Sequence, residues 1–218
     1  MLYKLLIEDE SGTQLSVGTF TLAQLRGLYP EPEEAHVTPE EPLDDTPTGV
    51  VLDYSHISQN GFGADANRND CGPAVLVSIL REHGYPRIVV DEVANRFMDY
   101  KSQPLDLIKM QRALRVYKVT HRYVSNIKTD EIVDAILEGG RPVVVLVSYE
   151  HLPYHPVKYT GGHYILVYGY DAALNKFYYH DPLANGVNRT TITPYELNNA
   201  MWQNRHHGNQ PYQAIIIE

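Results

Sequence analysis

This 218-residue sequence is poor in cysteine, in basic side chains and in long apolar runs. Its single cysteine excludes an intramolecular disulfide and favours a reducing compartment, which we predict to be the cytoplasm. The 18 Lys and Arg residues are outnumbered by 27 Asp and Glu residues, so we expect neither a nucleic acid nor an anionic membrane surface as partner. We also expect no signal peptide and no transmembrane segment, because no stretch approaches about 18 apolar residues.

Proline and acidic residues are concentrated in one segment, which divides the chain into three predicted parts. Residues 1–29 predict a small ββα appendage, with strands at 2–7 and 13–19 followed by a short helix. Residues 30–48 contain five prolines and seven acidic side chains without Lys or Arg, a composition that excludes a helix or a central strand. We interpret them as an extended linker or, more sharply, as a strap across a cleft of the main domain, residues 49–218.

The main domain is helical first and rich in strands afterwards. Helices are predicted at residues 74–83, 91–100, 104–115 and 129–137, and another follows the capping box of Thr193 and Glu196. Strands are predicted at residues 142–147, 163–170, 176–181 and 213–218. This order predicts an α+β fold in which the helices pack on an antiparallel β-sheet.

The only cysteine, Cys71, lies directly before the first predicted helix of the main domain. Unpaired N–H groups at a helix N-terminus stabilise an anion, so a thiol there is favoured as the nucleophilic thiolate. Gly72 allows a substrate to approach closely, and Pro73 suits the first helical turn. A lone cysteine is more often a buried structural residue, but the polar pair Asn69-Asp70 before it favours a surface position.

A histidine and an aspartate at neighbouring strand ends could serve such a thiolate. His163 begins one strand, and Asp181 ends the next one, with a hairpin connection at 171–175 between them. Antiparallel pairing about that turn would put His163 opposite residues 181–183, and a bulge could shift the register by one. Each residue alone is more often structural, but together they predict a base and its orienting carboxylate.

An oxyanion donor is the remaining component of such a site. The side-chain amide of Gln59 could donate to a developing oxyanion beside the Cys71 backbone N–H. Spacing alone does not separate Gln59 from three asparagines nearby, and a solvated glutamine is the ordinary alternative. The competing residues are Asn60, Asn67 and Asn69.

Five motifs in this order carry a family resemblance. They are Ile57-Ser58-Gln59, Asn69-Asp70-Cys71-Gly72-Pro73-Ala74, Gly162-His163-Tyr164, Gly169-Tyr170-Asp171 and Asp181-Pro182. Together, over about residues 55–185, the chain resembles the papain-like cysteine peptidases related to the bacteriocin-processing peptidases of double-glycine leaders. The resemblance implies a papain-like fold, with Cys71 as nucleophile, His163 as base, Asp181 as orienter and Gln59 as oxyanion donor.

These observations predict a cysteine peptidase that cleaves a peptide or related amide bond of a peptide or protein substrate. Two alternatives stay open: a catalytically silent papain-like peptide-binding module, and a cysteine-dependent effector such as a deamidase or acyltransferase. No cofactor is predicted. His151, His155, His206 and His207 do not suggest a metal site, because carboxylates or cysteines at ligand spacing are missing. Near the predicted base, Tyr154, Tyr159 and Tyr164 are either groove-lining residues or ordinary sheet-edge aromatics.

Overall fold

The chain divides into two compact units, Met1–Thr46 and Pro47–Glu218. The computed structural model describes residues 2–8, 14–21, 49–60, 69–99, 103–184 and 190–218. In the first unit β1 (Leu2–Glu8) pairs antiparallel with β2 (Gln14–Thr21), which confirms the two predicted strands. The helix predicted after them and the segment 30–48 lie outside the described residues, so the three-part division stays a prediction.

The second unit contains five described α-helices and seven described β-strands. The helices are α1 (Cys71–Glu82), α2 (Val90–Phe97), α3 (Leu107–Val116), α4 (Thr129–Leu137) and α5 (Pro194–Gln203). The strands are β3 (Gly49–Val51), β4 (His121–Val124), β5 (Val143–Ser148), β6 (Gly162–Asp171), β7 (Lys176–His180), β8 (Thr190–Ile192) and β9 (Ala214–Ile217). Two short 3₁₀ segments, Tyr149–His151 and Asn204–His207, follow β5 and α5.

The seven strands form one antiparallel sheet, in which six of them follow the order β4-β9-β5-β6-β7-β8. The seventh, β3, pairs with the C-terminal end of β6. Helices cover both faces of this sheet. On one face α1, α2 and α3 share an apolar cluster with Val144, Leu146 and Leu166. On the other face α4 and α5 pack against Val143, Val145 and Val147. The predicted α+β fold, with helices on an antiparallel sheet, is confirmed.

Burial on both faces explains why β5 reads as a continuous apolar run. Its six residues are all buried, and successive side chains point to opposite faces of the sheet. The same alternation occurs in β9, where Ile215 and Ile217 face α1 while Ala214 and Ile216 face α4 and α5. A strand with one solvated face would instead alternate between apolar and polar residues.

Several predicted element boundaries differ from the structure at their caps. The helix α2 begins at Val90, so Asp91 lies within its first turn and is not its cap. The helix α3 begins three residues later than predicted, at Leu107, because the Asp106 side chain caps it by accepting from Lys109 N at 2.7 Å. The capping box of Thr193 and Glu196 before α5 is confirmed, with Glu196 N donating to Thr193 Oγ1 at 3.2 Å. In the described part of the chain, no helix combines the length and apolar character needed to cross a bilayer.

Candidate active site

The nucleophile candidate Cys71 is the first residue of α1, which begins three residues earlier than the predicted helix 74–83. Pro73 occupies the first turn, where an α-helix leaves its N–H groups without partners inside the helix, so the missing N–H costs nothing. Gly72 allows the start of α1 to pack closely against Leu105, since a Cβ at position 72 would lie 3.0 Å from Leu105 Cβ. Cys71 is only 5% exposed, but it borders a cavity of about 590 Å³ and is reached through it.

His163 and Asp181 meet in a direct hydrogen bond at the end of the sheet. His163 Nε2 lies 2.7 Å from Asp181 Oδ1, and both side chains are almost completely buried. The strands β6 and β7 pair Leu166 with His180 and contain a bulge between Val167 and Gly169, a register shift of the kind considered above. The N–H of Leu183 donates to the same Asp181 oxygen at 2.8 Å and so helps to hold the carboxylate in place.

Cys71 and His163 line the same cavity, and Cys71 acts on the pKa of the imidazole together with Asp181. Burial by itself would lower the pKa of His163. The hydrogen bonds and negative charges of Asp181 and Cys71 outweigh it and raise this pKa from 6.5 to about 9. A pKa raised in this direction favours the imidazolium form of His163 at neutral pH.

Gln59 is buried close to Asp181 and Pro182, which follow β7. Its backbone N–H donates to the Pro182 carbonyl at 3.0 Å. Its side-chain nitrogen and oxygen are buried without a hydrogen-bond partner among the described residues. Gln59 is not one of the described residues that border the cavity, whereas its competitor Asn69 is. Asn60 is exposed, and Asn67 lies outside the described residues.

Aromatic side chains surround the histidine, and the nearest one was not singled out from the sequence. The Tyr149 ring stands edge-on to His163 with the ring centres 5.0 Å apart, and burial raises the pKa of its hydroxyl to about 12. Tyr149 directly follows β5, whose Val147 pairs with His163, so the strand register was the signal that could have found it. Of the three tyrosines noted above, Tyr159 and Tyr164 line the cavity, whereas Tyr154 does not.

The cavity wall combines carboxamides with apolar side chains, and this mixture suits an extended peptide. Carboxamides can donate to and accept from a peptide backbone, and apolar groups can hold its side chains. The carboxamides are Asn69, Gln111, Asn209, Gln210 and Gln213, and the apolar residues include Leu105, Leu107, Ile108, Tyr123 and Leu146. Within the described ranges, no three His, Cys, Asp or Glu side chains are grouped so that they could hold a metal ion.

Comparison with known proteins identifies the family of the second unit. The Peptidase_C39 like family matches residues 51–209, a range that contains Gln59, Cys71, His163 and Asp181. The chain belongs to this family. No curated protein matches it.

Two crystal structures show the same fold at low sequence identity. One is a proposed C39-like peptidase from Bacillus anthracis, with TM-score 0.55 and 16% identity over 78% of this chain and 97% of that one. The other is the peptidase domain of Streptococcus ComA, a bifunctional ABC transporter involved in a quorum-sensing pathway. It has TM-score 0.52 and 18% identity over 76% of this chain and 98% of that one. The fold of the second unit is therefore that of the papain-like cysteine peptidases.

Proposed function

We propose that this C39-like protein is a cysteine peptidase that cleaves a peptide bond through Cys71, His163 and Asp181. One observation carries the proposal: the His163 ring is held at 2.7 Å by the buried Asp181 carboxylate and lines the same cavity as Cys71. Membership of a peptidase family supports a peptide or protein as the substrate. A reducing compartment such as the cytoplasm would keep the single thiol free.

The reaction follows from the proton held on the imidazolium. The Cys71 thiolate attacks the carbonyl carbon, and the resulting oxyanion accepts from the Cys71 N–H, which has no intrahelical partner, and from the Gln59 amide. The tetrahedral intermediate collapses when the His163 imidazolium gives its proton to the leaving amine. Neutral His163 then takes a proton from the water that attacks the thioester. It keeps this proton as the imidazolium when Cys71 leaves as thiolate, so the ion pair is restored and the carboxylic acid product is released.

The role of Gln59 rests on a buried amide whose partners are missing from the described residues. Such a group costs about 1–3 kcal/mol of stability when it stays unsatisfied, so its presence favours a role in binding. Asn69, which borders the cavity, is the alternative donor. A lower kcat with unchanged KM in Gln59→Ala, and not in Asn69→Ala, would assign the role to Gln59.

Alkylation of Cys71 by iodoacetamide at pH 6 tests the activation of the thiol directly. An ordinary thiol is less than about 1% thiolate at that pH, so we expect the reaction of the intact protein to be roughly 100-fold faster than that of His163→Ala. Cys71→Ala gives the blank, and His206→Ala, which removes an exposed histidine, is the matched control. Labelling that is slow and indifferent to His163 would overturn the proposal and favour a peptide-binding module.

Cleavage of a diverse peptide library tests the reaction itself. We expect new amino termini with the intact protein and none with Cys71→Ala, whose circular dichroism should match that of the parent. Residual cleavage in Cys71→Ala would contradict the assignment of the nucleophile. Rapid His163-dependent labelling without any new amino terminus would favour a deamidase or acyltransferase, because those reactions proceed through the same thioester.

A further inference from the structure

A second polar cluster lies at the end of the strand that carries His163. It consists of Ser148, Glu150, His151 and His207, contributed by the end of β5, the 3₁₀ segment after it and the 3₁₀ segment after α5. Ser148 pairs with Gly162 across the sheet, so the cluster lies one residue from the histidine. His207 also lines the cavity that Cys71 and His163 border.

The contacts inside this cluster converge on one imidazole nitrogen. His207 Nε2 lies 2.9 Å from Ser148 Oγ and 3.1 Å from Glu150 Oε1. A carboxylate only accepts hydrogen bonds, so Nε2 of His207 must carry a proton. The Ser148 oxygen faces the same N–H, and His151 Nδ1 lies 3.2 Å from that oxygen.

The other oxygen of Glu150 reaches the segment that leads into His163. Glu150 Oε2 accepts from the Gly161 N–H at 3.3 Å, and the Gly161 carbonyl accepts from Tyr149 N at 3.0 Å. Gly161 and Gly162 have no side chains of their own to fix this turn, so its backbone depends on outside anchors. Gly162 is confined further, since a Cβ there would lie 2.8 Å from Asn209 Nδ2 and 3.1 Å from Asn204 Oδ1.

Charge supports the same arrangement. Burial alone would raise the pKa of Glu150, but hydrogen bonds from its own backbone, Ser148 and Gly161, together with the His207 charge, lower it below its ordinary value. Glu150 is therefore a carboxylate throughout the neutral range and can hold both His207 and the Gly161 N–H.

We propose that Glu150 and His207 are positioning residues, which together anchor the Gly161–Gly162 turn and thereby hold His163 in place against Cys71. Neither residue touches the reacting atoms in this scheme. His207 fixes the Glu150 carboxylate, and the carboxylate fixes the backbone that begins the histidine strand. The inference rests on the proposed function, because it assumes that His163 activates the thiol.

The test compares the alkylation rate of Cys71 at pH 6 in Glu150→Ala, Glu150→Gln, His207→Ala and the double alanine variant. Displacing a catalytic group by about 1 Å costs up to 100-fold, so we expect roughly a tenfold loss in Glu150→Ala and a smaller one in Glu150→Gln, which keeps the acceptor oxygen. The double variant should lose no more than the worse single one, because both act through one contact. Glu138→Ala and His206→Ala, both exposed, are the matched controls.

The unfolding midpoint and a split of kcat from KM on a cleaved peptide distinguish positioning from mere stability. If Glu150 and His207 position His163, their variants should show a lower kcat and slower labelling of Cys71 at temperatures well below the unfolding midpoint. Normal labelling with only a lower midpoint, or with only a raised KM, would overturn the proposal, as would additive losses in the double variant. His163→Ala is the internal reference: if it labels as fast as the parent, the proposed function fails first, and if it alone is slow, only this inference fails.

Discussion

His163 is held by a carboxylate on one side and a sulfur on the other, and its protonation follows from that placement. Asp181 and Cys71 together overcome the cost of burying a cation and raise the pKa of His163 to about 9. Because the pKa of His163 in the folded protein is above the ordinary value of 6.5, protonation of His163 stabilises the folded state. This stabilisation is complete below pH 6.5 and is lost as the pH rises from 6.5 to 9. The imidazolium also supplies the proton for the leaving amine, so activity should fall as the pH rises through about 9.

Asp181→Asn should shift the basic limb of the pH profile of kcat/KM to lower pH. The limb should lie near pH 9 in the parent, because the imidazolium is the proton donor. Loss of the carboxylate charge should move it by about one to two pH units, while the amide oxygen still accepts from Leu183 N.

Asp134→Asn, which removes an exposed carboxylate on α4, is the control for this shift. Profiles measured from pH 6 to 10 would contradict the argument if the limb of Asp181→Asn stayed in place. The variant would then show that Asp181 supports structure without acting on the imidazole.

The contact between His163 and Asp181 could be predicted because it is local. The two residues are joined by one hairpin, and the alternation of two adjacent strands brings their ends together. The cluster of Glu150 and His207 could not be predicted in this way, because those residues are 57 positions apart and meet only after α5 packs on β5. The sequence spacing alone also did not predict that Cys71 lies near His163; only the family resemblance implied it.

Among the secondary-structure elements, length decided what could be predicted. The helix α4 was predicted with its observed bounds, Thr129–Leu137, since it has a full apolar stripe and is closed by glycines. The strands β3, β4 and β8, which were not predicted, have only three or four residues each. Such short strands carry too few residues for a period of two to stand out.

The meeting of β3 with β6 depends on a glycine. β3 pairs Val51 with Gly169, and a Cβ at Gly169 would lie 2.8 Å from the Val50 carbonyl oxygen and 3.1 Å from Val51 Cα. Both are backbone atoms of a paired strand, so they cannot move aside as a side chain can. This strand leads into Gln59, and it therefore connects sheet packing to the proposed oxyanion donor.

Gly169→Ala should lower the free energy of unfolding by roughly 1–3 kcal/mol, as overpacking against fixed atoms does. Gly139→Ala is the matched control, because its new Cβ would meet only the end of the Arg141 side chain, which can turn away. Urea unfolding of both variants measures the difference. An equal and small effect in the two would mean that β3 shifts freely on β6.

For the whole molecule, the question is whether the first unit is needed by the second. The two described apolar clusters draw their residues from Val50 to Ile217, and every proposed catalytic residue lies in the unit Pro47–Glu218. Removal of the residues before Pro47 therefore takes away none of the described buried core. The acidic, proline-rich residues 30–48 nevertheless have the composition of a segment that could lie across a cleft.

We expect residues 47–218, produced alone, to unfold cooperatively and to keep the alkylation rate of Cys71 and the kcat/KM of the full chain within about twofold, since a linker contributes little to either. The full chain with Cys71→Ala is the blank for both measurements. A clear rise in kcat/KM on truncation, with an unchanged rate of alkylation by small iodoacetamide, would instead identify the acidic segment as a strap that excludes peptides. Loss of cooperative unfolding would show that the two compact units fold as a single unit.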